Sequence, residues 1–82
     1  MSLVAVYAES LVPEEIQYGL FVGDTDQLIY EMNRITTLAD GTDFNPTTVA
    51  YIEDILLREG YAVTSAWVDE IEYWVAPVTS TR

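Results

Sequence analysis

The chain has 82 residues, half of them hydrophobic, and its 14 acidic residues against three arginines give a formal net charge of −11. This length and composition suit one folded domain with a single thin core, and they exclude a disordered acidic tail. The absence of histidine, cysteine and lysine excludes a Ser-His-Asp or Cys-His centre, a thiolate or imidazole metal site, a Schiff base and a P-loop. We therefore expect neither an enzyme nor a cofactor.

The first two predicted elements are strands. Residues 3–8 form a continuous apolar run rich in β-branched side chains, which is typical of a buried strand. Residues 16–22 alternate, so that Tyr18 and Leu20 share one face while Phe21 lies on the other. Gly19 interrupts this second strand, and a glycine there indicates a bulge or a close approach of the backbone. We expect the two strands to pair.

A first helix is predicted after the second strand. Asp24, followed by Gln27 three residues later, fits the capping-box pattern, with Thr25 as a competing cap. Thr36 and Thr37 weaken the last predicted turn, since β-branched residues lose rotamer freedom in helices. The apolar residues that would form the buried stripe of this helix recur at helical spacing: Leu28, Met32, Ile35 and Ala39.

A second helix over residues 45–60 has the clearest signals in the chain. Asn45 suits the N-cap, Pro46 suits the first helical position, and Gly60 can adopt the left-handed conformation that closes a helix. Asp54 and Arg58, four residues apart, form a favourable pair on the outer face. The opposite face carries Val49, Ile52 and Leu56.

The chain after this helix switches to alternating patterns. Residues 61–68 and 71–75 predict two strands joined by a tight turn at Asp69-Glu70, and a helix over residues 66–74 is the alternative interpretation. Pro77 is expected to stop the last strand, leaving residues 78–82 as a frayed tail. The predicted order is therefore β-β-α-α-β-β, in a single α+β domain spanning residues 1–82. An antiparallel sheet with both helices packed on one face would bury all the apolar stripes.

One loop contains oxygen ligands that calcium would accept, namely Asp40, Asp43 and Asn45. Their spacing does not match the twelve-residue EF-hand loop. The aspartates are turn formers and the asparagine is a helix cap for ordinary local reasons, so we predict no metal site.

Aromatic and acidic residues lie close together near the C-terminus. In one interpretation one tryptophan faces the core while the other faces outward among carboxylates, where it can stack on an arginine of a partner. In the other interpretation both tryptophans cover the sheet. The residues concerned are Trp67, Tyr73, Trp74, Asp69, Glu70 and Glu72.

The charge indicates the kind of partner. A strongly negative field repels nucleic acid and anionic membranes and attracts basic surfaces. Clustered carboxylates can imitate the phosphates of duplex DNA, so we predict a small inhibitor or decoy that binds a basic nucleic-acid-handling protein, as phage-encoded anti-restriction and anti-CRISPR proteins do. The residues expected to contact that partner are Asp69, Glu70, Glu72 and Trp74, with Glu14 and Glu15 second.

Two other interpretations fit the same composition. The protein can be a structural or assembly module, for instance a homodimer whose acidic surface serves solubility. It can also be an ordinary domain from a halophile, in which acidic surfaces are usual. The N-terminus lacks a basic segment before its apolar run, and no run reaches the length of a membrane span. We therefore expect a cytoplasmic protein, in the host cytoplasm if a phage encodes it.

Overall fold

The computed structural model describes residues 2–9, 18–26, 28, 31–38, 44–71 and 73–81. These residues contain a six-stranded antiparallel sheet, in the order β3-β2-β1-β6-β4 with β5 also paired to β6. The sheet curls into a half barrel. The elements in chain order are β1 (Leu3–Glu9), β2 (Tyr18–Asp24), β3 (Asn33–Leu38), α1 (Pro46–Arg58), β4 (Tyr61–Val63), β5 (Val68–Asp69) and β6 (Tyr73–Ser80).

The prediction of two helices packed on one face of a sheet is wrong. The described residues are mostly strand with one helix, because the segment assigned to the first helix contributes β3. That strand contains Ile35, Thr36 and Thr37, whose β-branched side chains favour strands, and the edge of β2 supplies its backbone partners. Asp24 does not cap a helix. Its Oδ1 accepts a hydrogen bond from the Asp26 N–H at 3.1 Å, which forms a turn after β2.

The two predicted N-terminal strands are present, although β2 continues to Asp24 and residues 16 and 17 of the predicted strand lie outside the described residues. β1 lies in the middle of the sheet, with β2 on one side and β6 on the other. Tyr7 and Leu20 are opposite each other on the face that α1 covers, and both are fully buried. Val6 and Phe21 are opposite each other on the second face, where they form a smaller apolar cluster with Ala8 and Met32.

Two features of β2 bear on the predicted role of Gly19. The pairing of β2 with β3 shifts register between Leu20 and Phe21, so the sheet has an irregularity one residue beyond this glycine. A Cβ atom at Gly19 would lie 2.7 Å from two ring carbons of Phe21. A side chain at this position would therefore require the Phe21 ring to move.

Helix α1 is confirmed as predicted from the sequence. Pro46 is its first residue, and Oδ1 of the N-cap Asn45 accepts a hydrogen bond from the Thr48 N–H at 3.0 Å. Gly60 follows the helix with φ at 94°, which only glycine adopts without strain. Ile52 and Leu56 on the inner face are fully buried against the sheet. Through these two residues α1 covers the main core.

The C-terminal strands differ in part from the prediction. The strand expected over residues 61–68 is interrupted, since β4 ends at Val63 and β5 begins at Val68, and the alternative helix over residues 66–74 does not form. Pro77 lies inside β6, which continues to Ser80, so residues 78–80 are not a frayed tail. The Pro77 carbonyl accepts hydrogen bonds from the backbone and hydroxyl of Thr64. The backbone of Pro77 thus faces the break between β4 and β5. No neighbouring strand there needs a hydrogen bond from an N–H group at this position, so a proline is tolerated.

Candidate partner-binding surface

Five aromatic side chains gather where α1 begins, on the face of the sheet that the helix covers. Phe44 lies at the centre, stacked on Trp74 with 4.5 Å between ring centroids and edge-on to Trp67 at 5.6 Å. Tyr7 is 5.6 Å from Phe44 and 5.0 Å from Tyr18. Aromatic pairs at these separations contribute beyond the area that they bury. We call these residues, Tyr7, Tyr18, Phe44, Trp67 and Trp74, the aromatic cluster.

The positions of the two tryptophans decide between the two interpretations of the sequence. Trp67 and Trp74 are both half-buried and both pack against the main core. The interpretation in which both cover the sheet is therefore confirmed, and the one in which one tryptophan faces outward among carboxylates is wrong. The outer sides of these rings remain the part of the aromatic cluster that a partner can reach.

A shallow groove runs along α1 beside the aromatic cluster, with a volume of about 550 Å³. Phe44, Val49 and Ala50 give it apolar walls, and Glu53 places a carboxylate at its side. Oε1 of Glu53 accepts a hydrogen bond from the Trp67 Nε1–H at 3.0 Å. This charge-assisted hydrogen bond joins α1 to the segment between β4 and β5. It also fixes the orientation of the Glu53 carboxylate.

The β5–β6 hairpin is the second feature at this end of the sheet. Asp69 pairs with Trp74, and the Glu70 N–H donates to the Tyr73 carbonyl at 2.9 Å. The pairing of Asp69 with Trp74 therefore places the turn two positions later than the predicted Asp69-Glu70. Ile71 at the tip is 93% exposed and has φ at 77°. A left-handed conformation is a genuine outlier for a β-branched residue, so the hairpin tip is strained.

The predicted partner-binding residues are placed as follows. Asp69 and Glu70 are exposed on the hairpin, next to Trp74 in the aromatic cluster. Glu72, Glu14 and Glu15 lie outside the described residues.

The loop considered for calcium lies mostly outside the described residues. Asn45 caps α1. Asp40 and Asp43 lie outside the described residues. Within the described ranges, no three acidic side chains come together in a way that could hold a metal ion.

Sequence reasoning missed three members of this surface. Phe44 and Glu53 come together with Trp67 only through the packing of α1 on the sheet, and no local pattern indicates that contact. The alternation of residues 71–75 predicts a strand face for Ile71, whereas the residue lies in the turn. The signal that could have found it is its position two residues after Asp69, whose Oδ1 accepts the Ile71 N–H at 2.8 Å in an Asx turn.

The described cations are engaged within the fold. Arg58 pairs with Asp54 at 2.9 Å, which confirms the predicted pair and is the one salt bridge among the described residues. The Arg34 guanidinium lies over the Phe21 ring, 5.2 Å from its centroid. Asp69 and Glu70 consequently have no ion-pair partner in the described part of the chain. The negative potential around the hairpin is open to a partner.

The strained tip gives a prediction about stability. Replacing Ile71 with glycine should raise the free energy of unfolding by about 0.5–1 kcal/mol, because relief of the left-handed strain exceeds the entropy cost of glycine. Ile71→Ala is the control, since it removes the exposed side chain and leaves a Cβ atom in the same conformation. Urea denaturation of the three proteins measures the difference. Equal effects of glycine and alanine would contradict a strained backbone at this position.

Comparisons with family models, with curated protein sequences and with solved structures find no match for this chain. The surface must therefore be interpreted from its own chemistry. Among the described residues, no helix is long and apolar enough to cross a bilayer.

Proposed function

We propose that the protein is a small acidic inhibitor or decoy that binds a basic nucleic-acid-handling protein, in the manner of anti-restriction or anti-CRISPR proteins. The proposal rests on which charged side chains are paired within the described residues and which are not. The described arginines, Arg34 and Arg58, are held by Phe21 and Asp54, while Asp69 and Glu70 stay exposed and unpaired by cations among the described residues.

The net charge of −11 gives such a surface two advantages. A negative field steers the protein towards a basic cleft and speeds association, and it disfavours acidic partners. A DNA-binding cleft presents arginines and lysines arranged for phosphates, and carboxylates can occupy those positions with the same dependence on salt.

The hairpin also offers an apolar contact inside its acidic surroundings. Ile71 is the most exposed large hydrophobic residue among those described, and Asp69 and Glu70 precede it directly. Interfaces commonly combine a central apolar anchor with a polar rim. In this proposal the carboxylates select a basic partner and Ile71 contributes apolar contact.

A capture experiment tests the proposal. The immobilised protein is incubated with bacterial lysate at about 50 mM salt and eluted in parallel with higher salt and with duplex DNA, since binding through many charge contacts weakens steeply over that range. We expect capture of a protein that binds DNA when purified and that duplex DNA displaces. Capture of nothing, or of proteins that duplex DNA does not displace, would overturn the proposal.

The mass of the protein in solution distinguishes the decoy from the homodimer alternative. An acidic monomer in dilute buffer agrees with the decoy. A dimer that persists at high salt would indicate the assembly module, and a requirement for molar salt to fold would indicate a halophilic domain.

A further inference from the structure

We infer that the groove beside α1 accepts an arginine side chain of the basic partner. This inference rests on the proposed function and deepens it by naming one contact. The groove combines an aromatic face and aliphatic walls with one carboxylate, through Phe44, Val49, Ala50 and Glu53. An arginine needs both kinds of surface, because its guanidinium plane stacks on rings while its N–H groups bind carboxylates.

The Glu53 carboxylate is prepared for such a ligand. Its Oε1 already accepts the Trp67 Nε1–H at 3.0 Å, which fixes the orientation of the side chain. A carboxylate has about four lone-pair sites, so one hydrogen bond from an indole leaves sites for a guanidinium. Because Glu53 is only half-buried, the carboxylate keeps access to the groove that it lines.

The start of α1 does not make the groove a site for anions. The Asn45 side chain already accepts a hydrogen bond from the Thr48 N–H. This backbone N–H is therefore not free to bind an anion. Glu53 is in the second turn of the helix, beyond the first turn, to which the influence of the helix dipole is limited. The charge that a ligand meets in the groove is therefore that of a carboxylate.

The chain's own described arginines do not occupy the groove. Arg58 is bound to Asp54, and Arg34 lies over Phe21 on the second face of the sheet. A basic partner is the source of arginine that fits the net charge of the protein. Arginine is favoured over lysine because the ring of Phe44, which lines the groove, offers a planar group a stacking surface.

The test uses N-acetyl-L-arginine amide as the probe, titrated into the full chain and followed by NMR at the Trp67 indole N–H. We expect this signal to move in a saturable way, with binding at least tenfold weaker in Glu53→Gln. Glutamine keeps an oxygen for the Trp67 hydrogen bond and removes only the charge. The matched control is Asp54→Asn, which removes the same charge at the neighbouring position, where the carboxylate faces Arg58 instead of the groove. It should bind as the wild type does.

Two further measurements complete the test. Ala50→Leu should fill the groove at an exposed position without changing charge, and it should weaken binding as Glu53→Gln does. N-acetyl-L-lysine amide should bind at least fivefold more weakly than the arginine probe. An unmoved Trp67 signal, equal losses in Glu53→Gln and Asp54→Asn, or equal affinity for the lysine probe would overturn the arginine site.

The outcomes for the groove and for the proposed function are separable. If the probe fails while duplex DNA still displaces a captured basic protein, the groove assignment falls and the decoy proposal stands. If the probe binds in the groove while no basic protein is captured, the decoy proposal falls and the arginine site stands.

Discussion

Replacing Tyr7 with alanine should remove a large fraction of the stability of the protein, about 3–5 kcal/mol. Tyr7 is fully buried on the central strand and contacts the rings of Tyr18, Phe44 and Trp74. Truncation of a buried aromatic residue to alanine typically costs about 3–5 kcal/mol. An 82-residue domain has a total stability of roughly 4–12 kcal/mol at about 0.05–0.15 kcal/mol per residue. The substitution therefore removes a large fraction of the whole.

The chain supplies a matched control for this substitution. Tyr51 lies on α1 with 55% of its surface exposed, so Tyr51→Ala removes the same atoms from a position near water. Its expected cost is within about 0.5 kcal/mol, as for surface substitutions generally. Urea denaturation followed by tryptophan fluorescence measures both variants, since Trp67 and Trp74 belong to the cluster that contains Tyr7. Similar costs for the two substitutions would mean that the aromatic cluster does not hold the sheet to the helix.

The parts of the fold that the sequence predicts correctly have local causes. Helix α1 begins and ends where the side chains of Asn45, Pro46 and Gly60 favour a boundary, whatever the rest of the chain does. The pairing of β1 with β2 follows from two apolar segments with little chain between them. Such signals act within a few residues, and tertiary packing agrees with them here.

The failures have non-local causes. Leu28, Met32 and Ile35 recur at helical spacing, yet the unpaired edge of β2 binds residues 33–38 as a strand, in which Thr36 and Thr37 are favourable. Pro77 predicts the end of a strand because a proline cannot donate a hydrogen bond. The expectation fails since the neighbouring edge is interrupted between β4 and β5. Both errors come from properties of neighbouring strands, which a local pattern does not contain.

One part of the candidate surface can likewise be predicted from the sequence, and the other part cannot. Asp69, Glu70 and Trp74 are close in sequence, and the hairpin keeps them close in space. The groove depends on contacts between elements, such as the hydrogen bond between Glu53 and Trp67, which are 14 residues apart. A sequence pattern can therefore locate the acidic hairpin, whereas the position of the groove requires the packing of α1 on the sheet.

Reversing the charge of the hairpin should abolish capture of the basic partner. The triple substitution Asp69→Lys, Glu70→Lys and Glu72→Lys changes the net charge by +6, from −11 to −5. Residues at the centre of an interface often cost about 2 kcal/mol or more when truncated, and like charges add repulsion. Since about 1.4 kcal/mol is a factor of ten, we expect affinity to fall at least about 100-fold. Titration of the purified captured protein at fixed salt measures the change.

The decisive comparison is a second triple with the same change in net charge at the opposite end of the sheet. Asp26, Glu31 and Glu59 are exposed there, near the start of β1 and the end of α1, so replacing all three with lysine also gives −5. If the hairpin is the contact surface, the second triple loses only the long-range attraction, which acts mainly on the association rate and disappears as salt rises. Its affinity should approach that of the wild type at about 300 mM salt, where the Debye length is shorter than 8 Å, while the hairpin triple remains weak. Equal losses at every salt concentration would mean that the partner responds to the total charge and not to the hairpin.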